Sequence, residues 1–320
     1  MATGKALPSQ RITNETLSHM LGKPPSHIFK KSGVRERHFA SDNESQSQLG
    51  AAALSNALQQ AHLKPSDIDL LIGACGVPEQ ALPSTACFIA EQAGLQPGTA
   101  AFDINASCLS FLTALRLAAS LLGSSSYRRI AIVSCDLPSR GVNWNDPEAS
   151  LIFGDGAAAV ILENGQDTQG IRAFRFETYP AGRTFCEIRA GGTQCNPRMG
   201  AIPEDYLFRM DGRAVFKMAT QVIPGFLKTL MLDVEGGVNS IDLVIPHQAS
   251  HLGMAHAARK LQLPESRIVN IYENHGNQVA ASIPTALHEA ITSGRAKPGS
   301  RLLLMGTAAG LSLGGLVLDL

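Results

Sequence analysis

Ala101-Phe-Asp-Ile-Asn-Ala-Ser-Cys108-Leu-Ser-Phe-Leu-Thr-Ala-Leu-Arg116 joins a short apolar run to a helical pattern through one cysteine. Leu109, Leu112, Leu115 and Ala119 recur at helix-like spacing behind it. The pattern predicts a strand that turns sharply into a buried helix. Cys108 then sits at the helix start, where unpaired backbone N–H groups and the positive end of the macrodipole favour the nucleophilic thiolate. Core packing is the competing reading, because free cysteine is among the most buried residue types.

Outward from this stretch the chain repeats itself. Ile68-Asp-Leu-Leu-Ile-Gly-Ala-Cys-Gly76 is echoed by Ile241-Asp-Leu-Val-Ile-Pro-His-Gln-Ala249, each followed by a helical pattern. Phe102–Asn105 with Cys108 and its helix corresponds to Val269–Tyr272, Glu-Asn-His-Gly-Asn277 and the helix through Ala280, Ile283 and Leu287. Arg129–Ser134 answers Arg301–Met305, and Gly156–Leu162 answers Gly314–Leu320. Such self-similarity implies two copies of one α/β unit, drawn as 1–165 and 166–320. Strands rich in Ile, Val and Leu on both faces, alternating with helices, predict largely parallel sheets covered by helices. Residues 178–206, between the halves, have weak periodicity and read as loop and cap, with Cys186, Cys195 and Arg198 as ordinary loop residues.

With 320 residues, 44% of them hydrophobic, the chain can bury a large core. Lys+Arg and Asp+Glu both number 27, so no charge excess points to nucleic acid or to an anionic membrane. The 6 cysteines lie apart with no C-x-x-C pair, and no cationic, apolar leader is present. A disulfide framework and export are therefore not expected, and a reducing cytoplasm is. Runs such as Ile130–Val133 and Leu302–Met305 are far short of a membrane span.

The repeat places Cys108 in one half and His247 and Asn277 in the other at matching strand ends, where parallel α/β sheets carry functional groups. Singly, His247 reads as a core histidine and Asn277, beside Gly276, as a turn residue. Together they have two chemical uses. In a cysteine hydrolase the His deprotonates the thiol and the Asn orients the His. In a condensing enzyme the Cys carries an acyl group, while neutral His and Asn donate hydrogen bonds to a second thioester carbonyl and stabilise an enolate as carbon dioxide leaves. Spacing does not separate the two.

Gly33-Val-Arg-Glu-Arg-His-Phe-Ala40, Ala101–Cys108, Phe153-Gly-Asp-Gly-Ala157, Pro246-His-Gln-Ala249 and His275-Gly-Asn-Gln-Val-Ala-Ala-Ser-Ile-Pro284 occur in order along nearly the whole chain. In these the sequence resembles the beta-ketoacyl-acyl-carrier-protein synthase III family of the thiolase superfamily, as a divergent member. The resemblance implies a five-layered α-β-α-β-α fold from two duplicated halves, normally a homodimer. It implies a condensing acyltransferase, joining a Cys108-bound acyl group to a malonyl-type thioester with loss of carbon dioxide to give a beta-ketoacyl thioester in fatty-acid or related biosynthesis. The alternative is a specialised acyltransferase or ketosynthase of secondary metabolism using a carrier-bound or unusual donor. No cofactor or metal is implied; acyl-CoA or acyl-carrier thioesters are substrates, and acyl carrier protein is the partner.

Carried over by position, Cys108 is the nucleophile, His247 and Asn277 hold the extender, and the N–H groups of Cys108 and Ala309 form the oxyanion hole. Leu82 matches a position that limits acyl length from across the dimer, and Arg259-Lys260 matches a basic pair that docks the acidic carrier. The departures concern the donor. His27 stands where the family has a tryptophan and Pro147 where it has an arginine, the pair that sandwiches the adenine of coenzyme A. Ala308-Ala-Gly310 replaces three glycines, which puts the orientation of the Ala309 N–H in question. Almost nothing precedes Ala2–Pro8, where relatives have a strand, so either the sheet lacks that strand or the sequence begins late.

Overall fold

The computed structural model describes residues 1–165, 169–261 and 263–320, with the side chains of Ala257 and Lys260 also outside the description. From the N-terminus the chain runs through β1 (Ala2–Ala6), β2 (Gln10–Thr13), α1 (Asn14–Leu21), α2 (Pro25–Ser32) and β3 (Glu36–Phe39). Next come α3 (Gln46–Gln60), β4 (Leu70–Gly73), α4 (Thr85–Gln92), β5 (Ala100–Asp103), α5 (Ser110–Gly123), β6 (Arg129–Asp136), α6 (Pro147–Ser150) and β7 (Gly156–Glu163). It continues with β8 (Gly170–Thr178), β9 (Cys186–Glu187), β10 (Arg209–Met210), α7 (Gly212–Leu230), β11 (Leu243–Pro246) and α8 (His251–Leu261). α9 (Tyr272–His275), α10 (Ser282–Thr292), β12 (Arg301–Ala308) and β13 (Ser312–Asp319) complete it.

Two sheets carry the fold, in the orders β1-β7-β6-β4-β5 and β8-β13-β12-β11. An isolated bridge between Val244 and Ile268 stands beside β11 where β5 stands beside β4. Strand for strand the second sheet repeats the first, as the sequence echo predicts.

Side-chain alternation along each strand, with its period of two, builds the layers. Leu70, Ile72, Ile130 and Ile132 of the first sheet share one buried cluster with Leu243, Ile245, Leu302 and Leu304 of the second. Leu112 and Leu115 of α5 and Ile283 and Leu287 of α10 lie in that same cluster, so the two helices form a layer between the sheets. The intervening residues face outward: Leu71, Ala131 and Val133 meet α3 and α4, and Val244, Leu303 and Met305 meet α7. The five-layered α/β architecture follows.

Two expectations need correction. The sheets are mixed: β6, β4 and β5 run parallel, but β7 is antiparallel to β6 and to β1. In the second sheet only β11 and β12 are parallel, because Ala309-Gly310-Leu311 is far too short a link for a crossover and forces β13 antiparallel to β12. Nor is the first strand missing, since Ala2–Ala6 itself forms the edge strand β1 on β7. The drawn boundary at 165/166 falls beside residues 166–168, outside the described residues.

β1 reaches its place only because Gly4 lets the backbones close: a Cβ there would lie 2.4 Å from the Ala53 carbonyl oxygen and from the Ala57 nitrogen of α3. Both obstacles are backbone, which cannot rotate aside. Gly4→Ala is therefore expected to cost about 1–3 kcal/mol, read as a lowered urea midpoint; an unchanged midpoint means that α3 shifts freely.

Candidate active site

Cys108 lies on a built turn rather than a loose loop. Ser107 adopts φ +55°, an uncommon left-handed conformation for a non-glycine residue, and swings the chain toward α5. Ser107 N–H donates to Asn105 Oδ1 at 2.9 Å, and Ala106 N–H to Ser110 Oγ at 2.9 Å. Ser110 Oγ in turn donates to the carbonyls of Cys75 (2.9 Å) and Ser107 (2.7 Å), and Asn105 Nδ2 to the Gly76 carbonyl at 3.3 Å. The turn is thereby fastened to the loop after β4.

His247 follows β11 directly, and its N–H donates to the Met305 carbonyl at 2.8 Å. Its neighbour Gln248 is fully buried and structural: Nε2 donates to the carbonyls of Pro246 and Val269, and Oε1 accepts from Ile271 N–H. Room for the imidazole comes from Gly306, where a Cβ would stand 2.5 Å from His247 Cβ and 3.4 Å from Leu109 Cδ2. His247 and the residue after Cys108 thus flank one point on β12.

Asn277 is not at a strand end; it follows the short α9 and the positive-φ Gly276. Its backbone is clamped on the Phe153-Gly-Asp-Gly-Ala157 stretch, by Asn277 N–H to the Ile152 carbonyl (2.8 Å) and Gly154 N–H to the Asn277 carbonyl (3.2 Å). Gly154 permits this approach, since a Cβ there would be 2.1 Å from the His275 carbonyl oxygen. The Asn277 amide accepts from Val279 N–H at 2.9 Å and donates to the Ala249 carbonyl at 3.4 Å, which draws it to the His247 segment.

The electrostatics overturn the thiolate expected at a helix start. α5 begins only at Ser110, and burial of the sulfur pushes the Cys108 thiol up to about 11, with the charge of Asp136 adding to the rise. The Ser107 hydroxyl and the backbone N–H groups of Ala309 and Cys108 pull it partly back. Burial lowers His247 to about 4, so its imidazole is neutral at physiological pH, and among the described residues Nδ1 has no hydrogen-bond partner.

The remaining expected residues lie apart from this cluster. Leu82 projects from the loop before α4 with 83% of its surface exposed. Arg259 is exposed on α8, and the Lys260 side chain lies outside the described residues. His27 on α2 and Pro147 at the first position of α6 are exposed on neighbouring helices. Cys186, read from sequence as an ordinary loop residue, is half-buried on β9, and its thiol is raised to about 12 by burial and then by the nearby Cys108. No local pattern in sequence marks that proximity. Asn105, Ser110 and Gly306 were likewise unsignalled, although the glycine beside a histidine-bearing strand end was a clue.

The buried thiol generates a prediction. Alkylation of Cys108 by iodoacetamide is expected to keep rising with pH toward about 11, in contrast to an ordinary thiol, which levels off near pH 8.5. A plateau near neutrality contradicts the burial argument. The measurement is the pH dependence of the alkylation rate, followed by peptide mass spectrometry at Cys108.

Profiles described as "3-Oxoacyl-[acyl-carrier-protein (ACP)] synthase III" and its C-terminal region match residues 102–180 and 235–320. The chain is 32% identical to a beta-ketoacyl-[acyl-carrier-protein] synthase III of Natranaerobius thermophilus, over 98% of this chain and 96% of that protein. Crystal structures of 3-oxoacyl-[acyl-carrier-protein] synthase III superpose on it: that of Aquifex aeolicus at a TM-score of 0.89 and 30% identity, covering 100% of this chain and 98% of that one. The Thermus thermophilus structure gives 0.90 and 27%, with the same coverage. OleA of Xanthomonas campestris, at 18% identity and a TM-score of 0.86, shares the fold alone. Two family profiles that together match more than half of the chain, and 32% identity over nearly its whole length, show that the chain belongs to the 3-oxoacyl-[acyl-carrier-protein] synthase III family.

Proposed function

We propose that Cys108 takes the acyl group, and that His247 and Asn277 hold the malonyl thioester whose decarboxylation supplies the attacking carbon. The reaction class itself goes with the family: the chain is a decarboxylative condensing enzyme of fatty-acid biosynthesis. The observation that supports the residue roles is the convergence at Gly306 on β12, where a Cβ would meet both the buried His247 and Leu109, the residue next to Cys108.

A neutral imidazole and a carboxamide stabilise an enolate by hydrogen bonding without first taking up a proton. The oxyanion of a tetrahedral intermediate on the cysteine is assigned to the N–H groups of Cys108 and Ala309, such a donor being worth about 10²–10³ in rate. The extender is carried by acyl carrier protein, with Arg259 and Lys260 as its docking pair. Two copies of the chain pair so that Leu82, exposed in one, bounds the acyl pocket of the other. The enzyme needs no cofactor and works in the cytoplasm, and its halves are 1–165 and 166–320.

The primer donor is carrier-bound or an unusual CoA ester rather than acetyl-CoA. His27 and Pro147 support this reading, because neither provides the flat ring or the guanidinium that together clamp an adenine.

Intact-protein mass spectrometry after exposure to a thioester panel tests the donor: carrier-bound acyl groups should load Cys108 faster than acetyl-CoA, and parity sinks the donor proposal. Cys108→Ala should abolish loading altogether. His247→Ala and Asn277→Ala should still load detectably but release no carbon dioxide from the malonyl substrate; loss of loading in all three would favour a hydrolase. Gly306→Ala, whose Cβ would press on His247, should lower carbon dioxide release more than loading, by about 10²-fold if the imidazole moves by an ångström.

A further inference from the structure

Asp136, at the end of β6, is buried to 2% exposure and meets backbone N–H groups instead of a cation. Oδ1 accepts from Gly76 N–H at 2.8 Å and Val77 N–H at 3.2 Å, and Oδ2 accepts from Ala280 N–H at 3.1 Å. One carboxylate therefore ties the loop after β4 to the turn that follows Asn277. That loop is the same one to which Asn105 and Ser110 fasten the Cys108 turn.

The Asn277 turn needs such a tie. Val279 adopts φ +51°, a strained conformation for a β-branched residue that persists only where its surroundings over-determine it. Its N–H is held by Asn277 Oδ1, and its side chain lies over Gly76, where a Cβ would be 2.4 Å from Val279 Cγ1 and 3.1 Å from Asp136 Oδ1. A relaxed Val279 would withdraw its N–H and free the Asn277 amide to rotate.

We propose that Asp136 is a positioning residue that sets the Asn277 amide for decarboxylation. The proposal rests on the roles assigned above to Cys108 and Asn277. The ionisable groups facing the carboxylate are Cys75 after β4, Cys135 on β6 and Cys108 before α5; the Val279–Ala281 turn presents only backbone N–H groups. Burial raises Asp136 to about 7, partly offset by those N–H bonds, so the carboxylate is ionised across the higher range in which Cys108 titrates. Because a like charge disfavours the thiolate, removing it moves the thiol down, whereas loosening the turn slows decarboxylation. Loading that is retained while release falls is the split that a merely structural carboxylate would not produce.

The test uses the full-length enzyme carrying Asp136→Asn, whose amide NH2 would confront one set of N–H donors. Two readouts are taken: the pH midpoint of Cys108 alkylation by iodoacetamide, and carbon dioxide release from malonyl-acyl-carrier protein. The expected result is a lower alkylation midpoint together with carbon dioxide release reduced by about 10- to 100-fold, acyl loading being retained. Parallel loss of loading and release overturns the proposal, as does unchanged release. Gly76→Ala keeps the charge but pushes on Val279, so release should fall with the midpoint unmoved; normal release overturns the tie even if Asp136→Asn fails to fold. Asn277→Ala separates the two layers of argument. If it releases carbon dioxide at the parental rate, the assignment of Asn277 is wrong; if it is silent while Asp136→Asn is normal, only the role of Asp136 falls.

Discussion

The structure depends on α5 and α10 being buried together between two sheets. Each helix starts beside a reactive turn, so packing the pair into one apolar layer brings the Cys108 turn and the Asn277 turn to a shared end of the molecule. At about 25 cal/mol per Å² of apolar surface, a layer lined by Leu, Ile, Val and Ala on both faces is a strong drive to assembly. It also leaves the site little freedom. Small residues at Gly154, Gly306 and Gly76 mark where backbone or side chain from the other half passes within a Cβ's reach.

That burial determines the charge state of the site. His247 and Asp136 are buried and Cys108 is partly buried, and in each the first cause of the pKa shift is desolvation, which penalises the charged form. The result is a protonated thiol, a neutral imidazole and a carboxylate poised near neutrality. For chemistry that begins with a neutral thioester and passes through an enolate, fixed N–H donors and neutral hydrogen-bonding side chains serve better than formal charges, since they need little reorganisation as charge develops. The expectation of a helix-stabilised thiolate failed because it weighed a local dipole without the layers that surround the sulfur.

Much of the fold was legible in the sequence. Strands of alternating Ile, Leu and Val, and the echo of Ile68–Gly76 in Ile241–Ala249, carry the duplication because the buried period of a strand is written in consecutive residues. Strand direction was less legible. Whether β13 runs with or against β12 depends on the length of the link at Ala309-Gly310-Leu311, and the apolar composition of the two strands is the same either way.

The sequence by itself determined the residue types of the proposed site, Cys108, His247 and Asn277, because these lie in short contiguous motifs. Tertiary structure alone decided which groups meet. Asp136 and Ala280 are 144 positions apart, and Cys108 lies on the turn before α5 whereas Cys186 lies on β9. The strain at Val279, the space at Gly306 and the elevated thiol depend on those distant encounters. Short-range pattern encodes which side chains a turn presents; desolvation and hydrogen bonding between remote segments exist only once the two sheets have closed on their central helices.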